Sequence, residues 1–408
     1  MLDAKKIAVG VTGGIAAYKT CEIIRDVKKL GAEVRVSMTE SAKNFVTELT
    51  FTSLSENPVI CSLFDGHETR GISHIDLARW CDLFLVCPAT ANIIGKVAAG
   101  LADDFLSTTI MATESPVVFC PAMNSSMWTN PLVQENVLKL KRQGYRFVEP
   151  DWGTLATTAE GEGWGRLASV KRILHNIKYT LLGTSELENK RVLVTAGPTR
   201  ESMDPVRFIS NHSSGKMGFA LAEAAKLRSA AVTLIAGPNH LDVPDGVKYQ
   251  RITSVEDLKD AIYEEYDQTH ILIMAAAVSD YRPKTRLSHK LKKSSHEHRL
   301  DLERTTDILA ELGKKKEGRI HVGFALETEN GVAEATKKLH AKNLDMVVLN
   351  NPLEPGAAFD ADTNIVTIIS TDREPENLPK LTKDAVAGVI LDRICERVKH
   401  NYQKAAAV

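Results

Sequence analysis

The chain is 408 residues long, more than one hydrophobic core ordinarily organises, so two domains are expected. Its hydrophobic content of 43% and charged content of 25% are those of a globular protein, and 51 Lys plus Arg against 52 Asp plus Glu leave no net field to attract nucleic acid or an anionic membrane. A strand pattern begins at once without a signal region, apolar runs such as ILIMAAAV (271–278) are too short to span a bilayer, and six cysteines without a C-x-x-C pair argue against a zinc site or disulfide framework and suit the reducing cytoplasm.

KKIAVGVTGG opens with a β-branched strand at 6–11 and a glycine turn at 13–14. An amphipathic helix of about 16 residues follows, ending at Gly31, and EVRVSMT supplies the next strand. This βαβ unit implies a parallel sheet. Buried strands follow at DLFLVCPAT (82–90) and PVVFCPAMN (116–124). The stretch LATTAEGEGWGR (155–166) has Gly161, Gly163 and Gly165 at alternating positions, a composition expected of a mobile flap rather than a strand. LLGTSELENK (181–190) is polar and aperiodic and reads as a linker.

The pattern then restarts. NKRVLVTAGPTRESMDPVRFISNHSSGKMGFALAEAAKL runs strand, loop, helix, with SSGKMG just ahead of the helix. Later strands are HILIMAAAV, IHVGFAL, DMVVLNN and IVTIIS, while KTRLSHKLKKSSHEHRL (284–300) is a basic, helix-poor loop expected to order on a ligand. The fold class is α/β, with two Rossmann-like three-layer domains over 1–189 and 190–408. Neither glycine loop has the G-x-G-x-x-G spacing, which disfavours a plain NAD dehydrogenase, but each offers backbone N–H groups and a helix dipole to a phosphate.

In order along the chain stand GVTGGIAAYK, ISHIDLARWCDLFLVCPATANIIGKVAAGLADD, PAMNSSMW, TAGPTRESMDPVRFISNHSSGKMG, AAAVSDYRP, KLKK and GFALET. Together they resemble the bifunctional coenzyme A biosynthesis flavoproteins, in which phosphopantothenoylcysteine decarboxylase is fused to phosphopantothenate–cysteine ligase. The resemblance covers nearly the whole chain. For the N-terminal half it implies a flavodoxin-like, FMN-dependent cysteine decarboxylase, in which the flavin supplies the electron sink that the substrate carboxylate lacks. Gly13, Gly14 and Ile15 would meet the FMN phosphate, with Thr39, Thr90 and Asn92 as further contacts. His74 matches the family's catalytic histidine and Asn124 the residue that holds the substrate carboxylate. By itself His74 is equally a surface or cap histidine, Asn124 a helix cap, and Met123, Met127 and Trp128 core or pocket wall.

For the C-terminal half the resemblance implies a ligase that activates 4′-phosphopantothenate with CTP as an acyl-cytidylate before the amine of cysteine attacks. Lys290, in KLKK, matches the family's essential lysine, and clustered cations are what a triphosphate demands, although most lysine clusters are solvated loops. Asn211 can donate to the acyl carbonyl or a phosphate, or can be a turn residue. Asp280, after a strand, can hold Mg2+ or a nucleotide hydroxyl. Met274, Ala275, Ala276, Thr306, Asp307, Ile308, Leu309, Phe324, Lys338 and Lys342 would line the CTP site. The expected assembly is a homo-oligomer, a dodecamer built from trimers of the flavin half and dimers of the ligase half.

A flavin-binding regulator is a second reading, opposed by the complete ligase half. A ligase with a vestigial flavin domain is a third, and the flap bears on it. The family's flap reads approximately A-C-G-x-x-G-x-G-R, with the cysteine as proton donor. Here Thr158 and Ala159, or Thr157 in another alignment, stand at those positions, and the nearest cysteine in sequence is Cys120. A hydroxyl is far less acidic than a thiol. Glu160 and Glu162 can serve instead if closure buries them, and a working decarboxylase with such a substitute acid is the favoured reading. The alternative is loss of CO2 without reduction of the product.

Overall fold

A computed structural model describes residues 2–63, 74–157, 160–292, 299–327, 330–350 and 361–406 and divides the chain into two units, Met1–Gly183 and Thr184–Val408. The first contains β1 (Lys6–Val11), α1 (Ala17–Lys29), β2 (Glu33–Met38), α2 (Glu48–Ser55), α3 (His74–Trp80), β3 (Leu83–Ala89), α4 (Ala91–Ala98), α5 (Phe105–Ala112) and β4 (Val117–Pro121). It continues through α6 (Ser125–Trp128), α7 (Pro131–Arg142), β5 (Arg146–Phe147), β6 (Asp151–Thr154), β7 (Glu162–Arg166) and α8 (Val170–Leu182). Five strands pair in the parallel order β2-β1-β3-β4-β5. Their runs of Val, Ile, Leu and Phe are buried on both sides, as a doubly covered parallel sheet requires. Ile23, Ile24, Ile173 and Ile177 of α1 and α8 seal one face, while Ile93, Leu106, Ile110 and Val137 of α4, α5 and α7 seal the other. The strand order makes this a flavodoxin-like sheet, whose topological switch point lies between β1 and β3.

Three expectations need correcting. The first helix stops at Lys29, because Gly31 turns with a φ of 94°. The glycine-rich flap is no structureless loop, since β6 and β7 form an antiparallel hairpin with Gly163 and Gly165 on its buried face. The anticipated linker is largely part of the second unit. Leu187 is fully buried there, and the Thr184 and Leu187 N–H groups donate to Leu227 and Arg228 carbonyls.

The second unit contains β8 (Arg191–Ala196), β9 (Arg200–Ser202), β10 (Phe208–Ser210), α9 (Lys216–Leu227), β11 (Ala231–Ala236), β12 (Lys248–Arg251), α10 (Val255–Tyr266) and β13 (Ile271–Met274). There follow β14 (Tyr281–Pro283), β15 (Leu302–Arg304), α11 (Ile308–Gly313), β16 (Ile320–Leu326), α12 (Gly331–Ala341), β17 (Met346–Asn350), β18 (Thr363–Asn364), β19 (Val366–Ser370), β20 (Arg373–Asn377), β21 (Leu381–Thr382) and α13 (Lys383–Ala406). Eight strands pair in the order β12-β11-β8-β13-β16-β17-β19-β20, parallel as far as β17 and antiparallel beyond it. The first six strands follow the Rossmann order, with the switch point between β8 and β13. Helices α9 and α13 cover one face, and α10, α11 and α12 the other. The basic loop begins and ends in a short ladder, β14 against β15. All six cysteines are free thiols, and no helix among the described residues is long and apolar enough to cross a membrane.

Candidate functional sites

In the first unit the candidate residues gather at the carboxyl edge of the sheet. Gly13, Gly14 and Ile15 follow β1, Thr39 follows β2, Thr90 and Asn92 follow β3, and Asn124 follows β4. His74 opens α3, which runs back to the amino end of β3, so its first residue lies toward that same edge. Thr12 staples the switch point: its Oγ1 donates to the Pro88 carbonyl at 2.7 Å and accepts from Thr90 N at 3.1 Å. A Cβ at Gly13 would sit 2.4 Å from that of Ser41, so only glycine lets the two loops approach. Helix α1 begins without a side-chain cap, Ile15 is largely exposed above it, and the buried Thr39 Oγ1 has no hydrogen-bond partner among the described residues. An uncapped helix start beside an orphaned hydroxyl fits a phosphate-bearing cofactor.

The hairpin seats beside Asn124. Met123 N donates to the Gly165 carbonyl at 2.9 Å, and a Cβ on Gly165 would lie 2.2 Å from the Met123 carbonyl oxygen. A Cβ on Gly163 would lie 2.5 Å from Ser125 Oγ. The alternating glycines therefore permit close docking, and their neighbours Glu162, Trp164 and Arg166 point outward. Asn124 Oδ1 accepts from Ser126 N at 2.9 Å as the cap of α6, which leaves Nδ2 without a partner among the described residues. Glu160 and Glu162 are exposed, and Thr158 and Ala159 lie outside the described residues. Burial, and then the nearby Arg166 guanidinium, pull the Lys19 ammonium below its usual range. Trp128 packs into the core, whereas Met127 is half exposed.

In the second unit one cleft of about 690 Å³ crosses the carboxyl edge of the sheet at the switch point. It brings together Asn211, Met274, Ala275, Ala276, Asp280 and Thr306 with Asp307, Ile308, Leu309, Phe324, Lys338 and Lys342. Gly218 lines the cleft where a helix comes close to β8: a Cβ there would meet the Ala196 Cβ at 2.5 Å. Asn211 Nδ2 donates to the Val278 carbonyl at 3.0 Å, fixing the loop ahead of α9 against the segment after β13.

The charges in the cleft are organised. Asp307 caps α11 through Ala310 N at 3.0 Å and pairs with Lys342 at 2.8 Å. Burial raises the Asp307 carboxyl, but the Lys342 ammonium and the cap N–H outweigh it and hold it below the usual range. Lys338 Nζ donates to the Phe324 carbonyl at 2.6 Å, and burial, then the Lys342 charge, lower its pKa. An anion entering here would raise it again. Asp280 is exposed at the rim, with no partner for its carboxylate among the described residues. No cluster of three metal-ligating side chains occurs among the described residues.

Lys290 is not among the cleft-lining residues; it is exposed on the basic loop, whose Lys293 lies outside the described residues. The loop is anchored by the buried Asp204, whose carboxylate accepts from Val206 N, Arg207 N and Leu291 N at 2.7, 2.8 and 3.2 Å. Those backbone donors outweigh burial and keep the Asp204 carboxyl below the usual range. Sequence reasoning named neither Asp204 nor two further residues that line the cleft, Asn364 and Lys383. DADTN reads as an ordinary turn, and no local signal brings it to α9.

Comparison with known proteins supplies independent findings. The family described as Flavoprotein matches residues 1–182, and the DNA/pantothenate metabolism flavoprotein C-terminal domain matches residues 187–398. The Coenzyme A biosynthesis bifunctional protein CoaBC of Bacillus subtilis is 46% identical across 99% of this chain and 100% of its own length. Its namesake from Escherichia coli K12 is 40% identical across 97% and 98%. The crystal structure of a CoaBC C-terminal domain shares 42% identity, covering 53% of this chain and 100% of that one, with a TM-score of 0.46.

Proposed function

The chain belongs to the family of bifunctional coenzyme A biosynthesis flavoproteins, with a decarboxylase half and a ligase half, and on that premise we propose how its residues divide the work. The ligase half joins 4′-phosphopantothenate to cysteine at the expense of CTP. A carboxylate oxygen of the acid attacks the α-phosphorus, an acyl–phosphate bond forms, and pyrophosphate leaves. The cysteine amine then attacks the acyl carbon, forming the amide and releasing CMP and a proton. The observation that supports this most is the gathering of Met274, Asp280, Asp307, Phe324, Lys338 and Lys342 in one cleft at the switch point. Lys338 and Lys342 offset triphosphate charge, Asp280 would hold Mg2+, and Lys290 closes in from its loop as charge develops.

The decarboxylase half acts on the product, 4′-phosphopantothenoylcysteine. Gly13, Gly14, Ile15, Thr39, Thr90 and Asn92 would hold FMN, which would supply the electron sink for loss of CO2. The free Asn124 amide N–H group donates to the substrate carboxylate, and His74 takes the thiol proton. Glu160 or Glu162 returns a proton as the hairpin closes. Exposed apolar side chains on each unit, Ile15, Leu49 and Leu132 on the first and Val206 and Phe208 on the second, suit an assembly of trimers and dimers, to be counted by light scattering. The reading places the enzyme in the cytoplasm.

The test supplies FMN-loaded protein with 4′-phosphopantothenate, cysteine, CTP and Mg2+. Pyrophosphate and CO2 should appear in equal amounts, with ATP a poor substitute for CTP. Absence of pyrophosphate would overturn the ligase reading.

A further inference from the structure

The hairpin of β6 and β7 in the first unit has little of the usual kind to hold it together. It joins neither large sheet, and two strands alone are marginal in water. Its second strand carries Gly163 and Gly165, which weaken a strand and bury no side chain. Polar bonds hold its edges. Asp151, at its base, accepts from Ser169 N at 2.9 Å and from Arg172 Nη1 at 2.7 Å. Gly165 accepts from Met123 N through its carbonyl, and near the tip Leu155 N donates to the Gly161 carbonyl at 3.0 Å. None of these is an apolar contact between the two strands.

Two tryptophans on the outward face supply that contact. Trp152 and Trp164 stand opposite each other in the ladder, with ring centroids 5.9 Å apart and planes at 75°, the edge-to-face arrangement that aromatic rings favour. Each is about half exposed and neither joins the core of the unit, so the ring contact belongs to the hairpin rather than to the core. Asp151 pairs with Arg166 and Trp152 with Trp164, which leaves Gly165 over as a bulge beside the aromatic pair. That bulged residue is the one that meets Met123, next to Asn124. Glu162, two residues before Trp164, shares its outward face. The tryptophan pair therefore stands between the seat of the hairpin and one of its two candidate acids.

We infer that Trp152 and Trp164 are positioning residues for decarboxylation: their contact holds the hairpin formed in the free protein, with Gly165 seated on Met123 and Glu162 in place, before substrate arrives. The inference rests on the decarboxylase reading. Without the pair the hairpin opens and substrate must order it on binding, so apparent affinity falls in proportion to the fraction of molecules in which it is already formed. The chemical step, once substrate is bound, keeps its rate.

Two measurements on the FMN-loaded full chain test this, and one of them needs no turnover. A close tryptophan pair gives an exciton couplet in far-ultraviolet circular dichroism. Wild type should show it without substrate, and Trp152→Ala, Trp164→Ala and the double variant should each lose it to the same extent. With 4′-phosphopantothenoylcysteine as substrate, each single variant should raise KM about tenfold while kcat changes less than threefold; tenfold is about 1.4 kcal/mol, the size of one aromatic pair. The double variant should be no worse than either single one, because the two rings act as a unit. Trp164→Phe keeps an aromatic partner and covers the case in which an alanine variant fails to fold; its KM should stay within threefold of wild type. Pyrophosphate release should not move in any variant. Wild type without the couplet, alanine variants with wild-type KM, additive losses in the double variant, a tenfold rise in Trp164→Phe, or a joint fall in kcat and pyrophosphate release would overturn the inference. A wild type that shows the couplet but releases no CO2 would instead overturn the decarboxylase reading on which it rests.

Discussion

The two halves of this chain build their sites at the same place by different means. Each is a parallel sheet with a switch point, and each gathers its candidate residues at the carboxyl edge. In the ligase half, twelve candidate residues line a single cleft, and several are locked by bonds such as Lys338 to the Phe324 carbonyl and Lys342 to Asp307. In the flavin half the groups are spread over separate loops, several are exposed, and a hairpin docks beside them through glycines. The difference separates groups gathered in one cleft from groups spread over separate loops beside a docked hairpin. The ligase half should therefore respond to changes in charge, and the flavin half to changes in backbone geometry.

The largest expected effect is on the ligase half. Lys290→Gln removes the loop cation proposed to meet the triphosphate and should lower pyrophosphate release from CTP by at least a hundredfold, about 3 kcal/mol of barrier. Decarboxylation of added 4′-phosphopantothenoylcysteine by that variant should persist. Full ligase activity would show KLKK to be a solvated loop.

Acid should separate the halves next. His321 is fully buried, bonded to the Tyr266 hydroxyl at 2.9 Å. Burial, and then the Lys316 charge, push its pKa from 6.5 to about 4 against the opposing pull of Asp345. The unfolded chain thus takes up this proton first. The stability is whole above about pH 6.5 and is lost as pH falls toward 4, at a cost of about 3 kcal/mol. All four tryptophans, Trp80, Trp128, Trp152 and Trp164, lie in the flavin half. Their fluorescence should therefore report a later acid transition than far-ultraviolet circular dichroism does. Coincident transitions would contradict the assignment.

Gly165→Ala is the matching test of geometry. With a φ of 137° and a Cβ driven to 2.2 Å from the Met123 carbonyl, the change should cost about 2 kcal/mol of local structure and lift the hairpin. Decarboxylation should fall at least tenfold and pyrophosphate release should not change. The smallest effect sharpens the cofactor reading. Thr39→Val removes a buried hydroxyl that has no partner among the described residues, so apo stability should hold or rise, while FMN binding weakens about tenfold. Loss of stability with unchanged flavin affinity would assign Thr39 to packing.

Much of this was legible in the sequence, and the exceptions share a cause. Periodicity located the first strand at 6–11 and revealed two βαβ starts, because strands buried on both faces leave uninterrupted apolar runs. The glycines at 161–165 misled, because their local meaning is flexibility while their use here is close approach to Met123 and Ser125, a tertiary fact. The linker expectation failed on Leu187, one apolar residue in a polar stretch that proved to be core. Asn364 and Lys383 were invisible for a similar reason. They reach the cleft through Asp362 and its ion pair to Lys216, 146 residues earlier in the chain.

The central claim is that one chain carries out both steps although no thiol stands at the hairpin's family cysteine position. The direct test feeds 4′-phosphopantothenoylcysteine to the FMN-loaded chain and identifies the product by mass. The account predicts 4′-phosphopantetheine over many turnovers, with the acid located by its loss in Glu160→Gln or Glu162→Gln. A product two hydrogens lighter, formed once per flavin and corrected by Ala159→Cys, would contradict it.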